Sequence, residues 1–211
     1  YVALLHLPIN YELVNNGDDC ILMLDRFAYD LDGLHEVIRQ AFLDFGFELD
    51  FGLPVFELEK VVFCQQSPVW TPMGYKMVRD PRTALLKDTV SIIRLSSPKM
   101  VDQFCWSIGS GGMALAGDMP IWSSFYSFLR NSSKSRQPLR DQRYKDSPIF
   151  WNGGCVAGSY VHPRTRASYF IAFDITPQEQ MGYESIFDNM SFSNVFDEFR
   201  TPMFVDFLVN P

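Results

Sequence analysis

Tyr11-Glu12-Leu13-Val14-Asn15-Asn16-Gly17-Asp18-Asp19-Cys20-Ile21-Leu22-Met23-Leu24 holds two short apolar runs on either side of a dense group of turn formers. Tyr11 to Val14 reads as one strand and Cys20 to Leu24 as another. Between them, Asn and Gly suit the positive φ of a tight turn. The stretch is a β-hairpin whose tip carries two adjacent carboxylates, Asp18 and Asp19. Neighbouring carboxylates repel when both are ionised, and a hard divalent cation with oxygen ligands relieves that repulsion. Mg2+ is the usual choice where phosphates are handled, and a pair of such ions can serve an in-line phosphoryl displacement. Turn propensity alone also explains an Asn-Gly-Asp-Asp tip, so the chemistry depends on what surrounds it.

Downstream, Leu34, Val37, Ile38, Ala41, Phe42 and Phe45 share one face of a helix, with Asp30 or Asp32 as its cap and Gly46 at its end. Strands are expected around Phe47 to Phe51 and Val55 to Phe63. The order strand, strand, helix, strand, strand implies an α+β layer, a sheet with a helix on one face. After Pro68 the pattern becomes mainly helical. Ser97-Pro98 starts a helix towards Ile108, Pro120 to Leu129 has helical spacing, and Thr176-Pro177-Gln178-Glu179 matches a capping box. Tyr169 to Phe173 reads as a short apolar strand or a lead-in to that last helix. Asn131 to Asp146 reads as a polar loop.

The 211 residues are 47% hydrophobic and 15% aromatic, enough for a real core and unlike a disordered tail. The chain begins at Tyr1 without Met and reads as a piece of something longer. A net charge of -7 argues against a uniformly nucleic-acid-binding surface. The charge is segregated, however. Arg130, Lys134, Arg136, Arg140, Arg143 and Lys145 face only Asp141 and Asp146 within one short stretch. That stretch is either a solvated loop or an RNA contact in which Arg136, Arg140, Arg143 and Tyr144 combine charge with a stacking ring. Arg79, Arg82 and Lys87 form a second basic group, set either to face a nucleotide or to pair with Asp80 and Asp88.

Cys20, Cys64, Cys105 and Cys155 form no CxxC pair, sit among apolar neighbours and suggest reduced core thiols. His6, His35 and His162 lack ligand spacing, which makes a zinc site or a histidine-based nucleophile improbable. Gly109, Gly111 and Gly112 have no following Gly-Lys-Ser/Thr, so a flexible helix end is expected there and not a phosphate loop. No GxSxG elbow and no apolar run of membrane-spanning length occur.

Beyond these readings, several segments resemble the RNA-dependent RNA polymerases of tombusvirus-like positive-strand RNA viruses. Glu12 to Cys20 resembles their motif C, and Ala41-Phe42-Leu43-Asp44-Phe45-Gly46-Phe47 their motif D. Val55-Phe56-Glu57-Leu58-Glu59 leading into Phe63-Cys64-Gln65-Gln66-Ser67-Pro68-Val69 resembles motif E. Met77 to Arg82 with Lys87-Asp88 is similar to the palm–thumb junction. Ala114 to Gly117 and Ala172 to Gln180 are similar to thumb segments. The matches are in the family's order and cover most of the chain.

The resemblance implies the C-terminal half of a right-hand polymerase palm, residues 1–74, followed by a mainly α-helical thumb, residues 75–211. Asp18 would ligate the catalytic metals (Mg2+, with Mn2+ as the alternative). Asp19 would be a weaker or more distant ligand, with Asn16 and Gly17 shaping the turn. Phe63, Cys64 and Gln65 would support the nascent strand. The partners implied are RNA template and product, nucleoside triphosphates, the fingers and N-terminal palm, and other replication proteins. The site implied is the host cytoplasm, in a membrane-associated complex held through parts not present here. The motif A aspartate, motif B and the basic fingers motif are missing, and Ala41 to Phe51 contains no lysine to serve as general acid. The isolated piece is therefore expected not to polymerise. The other reading is a non-catalytic RNA-binding or interaction module that keeps the polymerase fold.

Overall fold

The computed structural model describes residues 10–25, 30–144 and 160–190. The chain falls into two compact units that divide between Phe56 and Glu57. Among the described residues the architecture is mixed α and β, with two separate antiparallel hairpins and six α-helices.

In the first unit β1 (Tyr11–Asn16) pairs antiparallel with β2 (Asp19–Leu24), with Tyr11 opposite Leu24 and Leu13 opposite Leu22. Strand alternation puts these four on one face, and they pack on α1 (Leu31–Leu43) through the buried Leu34 and Ile38. Asp30 takes the N-cap position of α1 without a side-chain cap bond. The helix ends in a Schellman motif: Phe47 N–H donates to the Phe42 carbonyl and Gly46 N–H to that of Leu43. Gly46 supplies the positive φ, +80°, that this stop requires.

Phe45 lies past the helix and is exposed, so it leaves the apolar face the spacing assigned it. The strands expected around Phe47–Phe51 and Val55–Phe63 are not strands. Gly52 and Pro54 interrupt the run and no described strand pairs along it, so the segment stays irregular apart from a 3-10 turn at Leu58–Lys60 and the bridge from Phe63 to Gln66.

The second unit opens with β3 (Gln66–Thr71) and β4 (Gly74–Arg79), paired from Gln66–Arg79 to Thr71–Gly74. Helices α2 (Pro81–Thr89), α3 (Pro98–Ala116), α4 (Trp122–Ser132), α5 (Pro163–Phe173) and α6 (Pro177–Asn189) follow. Four of these five start identically, with a polar N-cap followed by proline at the first helical position: Asp80-Pro81, Ser97-Pro98, His162-Pro163 and Thr176-Pro177. In each, the cap side chain accepts a hydrogen bond from a first-turn N–H that the helix cannot satisfy. Thr176 and Glu179 complete a reciprocal capping box. Tyr169 to Phe173 belongs to α5, because His162-Pro163 begins the helix upstream of it.

The core of this unit gathers on α4. Trp122 stacks on Tyr126 at 5.3 Å, and Phe125 meets Phe187 edge-on at 5.3 Å. Gly109 and Gly112 lie inside α3, not at a flexible end. A Cβ at Gly112 would stand 2.2 Å from the Tyr126 ring, and one at Gly109 would stand 2.5 Å from the Arg130 backbone nitrogen. Their missing side chains let α3 and α4 approach closely.

Ile121, before α4, has φ +66°, and Trp122 N–H donates to the Pro120 carbonyl at 2.6 Å, a strained γ-turn for a β-branched residue. Glu184 of α6 holds it in place. This carboxylate accepts from Ile121 N–H at 3.0 Å and from Arg166 at 2.8 and 2.7 Å. No helix among the described residues is long and apolar enough to cross a membrane.

Candidate functional site: the acidic hairpin tip and the basic segments

The β1–β2 hairpin closes with two residues, Gly17 and Asp18, between the paired Asn16 and Asp19. Gly17 has φ +68° and Asp18 does not share it, the pattern of a II′ turn whose twist matches that of the strands. Asn15 Nδ2 donates to the carbonyls of Gly17 at 3.2 Å and Asp19 at 3.3 Å, which stiffens the tip. Asp18 sits at the apex and Asp19 begins β2. Both are exposed, and neither is in an ion pair among the described residues.

As a donor set, two exposed carboxylates with no cationic partner suit a hard divalent ion. Among the described residues, no group of three His, Cys, Asp or Glu side chains converges. The tip therefore offers part of a coordination shell. Cys20, next along β2, is exposed and is not the core thiol its neighbours suggested; Cys105 is buried and Cys64 is half-buried, while Cys155 lies outside the described residues.

Phe63 and Gln66 exchange two backbone hydrogen bonds, at 2.9 and 3.0 Å, around a two-residue turn. Cys64 and Gln65 both have positive φ, +51° and +60°. Two-residue turns of this hand normally take Asn or Gly, so the backbone here is held in a costly conformation. The three residues singled out at this motif are thus brought together at one hairpin end.

For Arg79 and Arg82 the sequence left two alternatives, and the structure shows the ion pairs. Arg79 grips Asp88 with both terminal nitrogens, at 2.7 and 2.5 Å, and Tyr126 Oη bonds to both partners. Burial works to lower the Arg79 pKa, but the bonds to Asp88 and Tyr126 outweigh it and the value is raised. Burial, with Asp88 beside it, pushes the Tyr126 phenol well above its ordinary range. Arg82 closes onto Asp80 at 2.8 Å, and that bond raises its pKa. Lys87 Nζ makes a long 3.4 Å contact to Gln65 Oε1.

The basic stretch is tied down and not a free loop. Ser133 Oγ donates to the Asp102 carbonyl, Leu139 N–H to Ser107 Oγ, and the buried Tyr144 hydroxyl accepts from Ile92 N–H at 3.0 Å. Tyr144 is therefore core, not a stacking ring. Arg136, Arg140 and Arg143 are exposed on this anchored segment. Arg136 lies 4.9 Å from the Trp106 ring, where Arg130 also sits at 5.2 Å. Arg143 pairs with Asp141 at 2.8 Å, and its hydrogen bonds hold that carboxyl down at about 2. Trp106 was missed by the sequence reading. Trp106 lies on α3, one helix earlier than the segment that leads into the basic stretch, so no local signal tied it to these arginines.

A family profile described as "Viral RNA dependent RNA polymerase" matches residues 1–195. The chain belongs to that family. It is 36% identical over 201 residues to the RNA-directed RNA polymerase of Oat chlorotic stunt virus (isolate United Kingdom), covering 87% of this chain and 26% of the relative. Against the RNA-directed RNA polymerase of Turnip crinkle virus it is 34% identical, over 86% of this chain and 24% of the relative. Against that of Tomato bushy stunt virus (strain Cherry) it is 36% identical, over 85% and 22%. The chain thus spans about a quarter of the length of these polymerases. No solved structure matches it.

Proposed function

We propose that this chain is the carboxyl-terminal palm and thumb region of an RNA-directed RNA polymerase that replicates a positive-strand RNA virus genome. The observation that carries the reading is the exposed Gly17-Asp18-Asp19 tip, with no ion pair to either acid among the described residues, inside residues 1–195 that match the polymerase family. The reaction is attack of a 3′-hydroxyl on the α-phosphate of a nucleoside triphosphate, releasing pyrophosphate, with RNA as template. Asp18 and Asp19 would hold divalent cations, Mg2+ by the hardness of their oxygens, together with donors from elsewhere in the polymerase. Such an ion supplies charge neutralisation at the transferring phosphate. The II′ turn, stiffened by Asn15, fixes the backbone from which the two carboxylates project.

Residues 1–74 are assigned to the palm and 75–211 to the thumb, with the turn at Phe63, Cys64 and Gln65, which leads into β3, supporting the nascent strand. Arg136 and Arg140 are the RNA contacts best supported by exposure. Template, product, nucleoside triphosphates and the remainder of the polymerase are the partners, in a membrane-associated complex of the host cytoplasm.

Replacing Asp18 by Ala in the full-length polymerase is expected to abolish nucleotide incorporation while RNA affinity stays within about twofold, since removing an acidic group takes away no phosphate contact. Retained synthesis would overturn the ligand assignment and favour the non-catalytic RNA-binding reading.

A further inference from the structure

The turn at Cys64 and Gln65 holds two non-glycine residues at positive φ. Such strain persists only where the surroundings over-determine it. The first rung of the β3–β4 ladder, Gln66 opposite Arg79, adjoins that turn directly. Four contacts from the helices converge on this rung and turn. Asp88 of α2 takes the Arg79 guanidinium end-on, through both terminal nitrogens, with the Asp88 side chain only 6% exposed. Tyr126 of α4 donates to Asp88 at 2.6 Å. Trp122 Nε1 donates to the Arg79 carbonyl at 3.3 Å, and Lys87 reaches Gln65. The opposite end of the same hairpin, at Met73, is 97% exposed. The rest of the hairpin is held by separate contacts, Trp70 N–H donating to Ser168 Oγ of α5 and Lys76 pairing with Asp118, and the Asp88 cluster is the part that bears on the strained turn.

We infer that the Asp88–Arg79–Tyr126 cluster is a positioning device that holds the Phe63–Gln66 turn in its strained shape. The ion pair fixes the ladder rung, the rung fixes Gln66, and the paired Phe63–Gln66 bonds force Cys64 and Gln65 into positive φ. Asp88 and Tyr126 act through Arg79 and touch no reacting atom. Arg79 suits the role because its planar fork meets the carboxylate at two points, which a lysine ammonium cannot do.

The Cys64 thiol reports on the turn directly. In a chain carrying Cys20→Ser and Cys155→Ser, with the buried Cys105 retained, labelling by an aromatic disulfide reagent follows Cys64 alone. Tyr126→Phe removes one hydroxyl and leaves the ion pair, so it tests the device even if Asp88→Asn does not fold. The labelling rate is expected to rise at least about fivefold in Tyr126→Phe, since losing even one ordinary hydrogen bond makes that factor in an equilibrium and the hydroxyl bonds to both Arg79 and Asp88. Arg79→Lys should rise as well, and Asp88→Asn more than either. Thr176→Ala, a helix-cap loss on α6, should leave the rate unchanged. A folded Tyr126→Phe chain that labels at the parental rate overturns the inference.

A second arm rests on the proposed role of the turn at the nascent strand. In the full-length polymerase, Tyr126→Phe should raise KM for primed template with kcat little changed. Faster labelling with unaltered KM would leave the positioning device standing and remove the nascent-strand assignment instead.

Discussion

Gly112→Ala should destabilise the second unit, although alanine is the better helix former. Gly112 sits inside α3, where the substitution alone would gain about 1 kcal/mol of helix propensity. The added Cβ, however, would meet the Tyr126 ring carbons at 2.2 Å, against about 3.5–4.0 Å for carbons in ordinary contact. Tyr126 is 1% exposed, stacked on Trp122 and bonded through its hydroxyl to Asp88, so it cannot swing aside. The helices must separate instead, an overpacking cost at the upper end of about 1–3 kcal/mol. The net expectation is a loss of about 2 kcal/mol.

Gly182→Ala, on the exposed face of α6 with nothing within 4 Å of the new Cβ, is the matched comparison. It should gain about 0.5–1 kcal/mol. Urea unfolding followed by tryptophan fluorescence measures both, read as midpoint shifts at constant slope. A Gly112→Ala chain as stable as the parent would refute the close approach of α3 and α4.

The Asp141 carboxyl, held at about 2 by Arg143, should move up toward 3.8 in Arg143→Ala, as followed by carboxyl resonances in an NMR titration. Because the folded value is depressed, the pair's contribution is complete above about pH 3.8 and fades as pH falls toward 2, so the variant should differ from the parent fully above that window, progressively less within it and not below it. Among the described thiols, Cys20 should label first and Cys105 last. Burial, with Asp102 nearby, pushes the Cys105 pKa up to about 11, and mass spectrometry of a labelling time course gives the order. Neutralising Arg136, Arg140 and Arg143 together in the full-length polymerase should flatten the log–log salt dependence of RNA binding by about 2, less than three full contacts because Arg143 is already paired. An unchanged slope would place the RNA elsewhere.

Local chemistry made much of this molecule legible without coordinates. Asn-Asn-Gly-Asp-Asp between apolar runs dictated the first hairpin, since only a few residue types tolerate its turn. Ser97-Pro98 and Thr176-Pro177 announced helix starts, and Asp80-Pro81 and His162-Pro163 carried the same signal though it went unread. Order along the chain sufficed for the family, because motif resemblance is itself a property of sequence.

What only the tertiary structure decided is which residue meets which. Val55 to Phe63 has strand-like composition, yet a strand exists only where another edge accepts its hydrogen bonds. The glycines of α3 carry no local sign of packing, yet α4 fills the space that Gly109 and Gly112 leave. Arg79 could have faced a nucleotide or an acid, and the fold set Asp88 and Tyr126 against it from two helices. Helix caps and unstrained turns such as Gly17-Asp18 are settled within a few residues, by sterics and by the chain's own hydrogen bonds, whereas the turn at Ile121 is held by the distant Glu184. Packing, ion pairing and burial join residues tens of positions apart, and no local pattern specifies them.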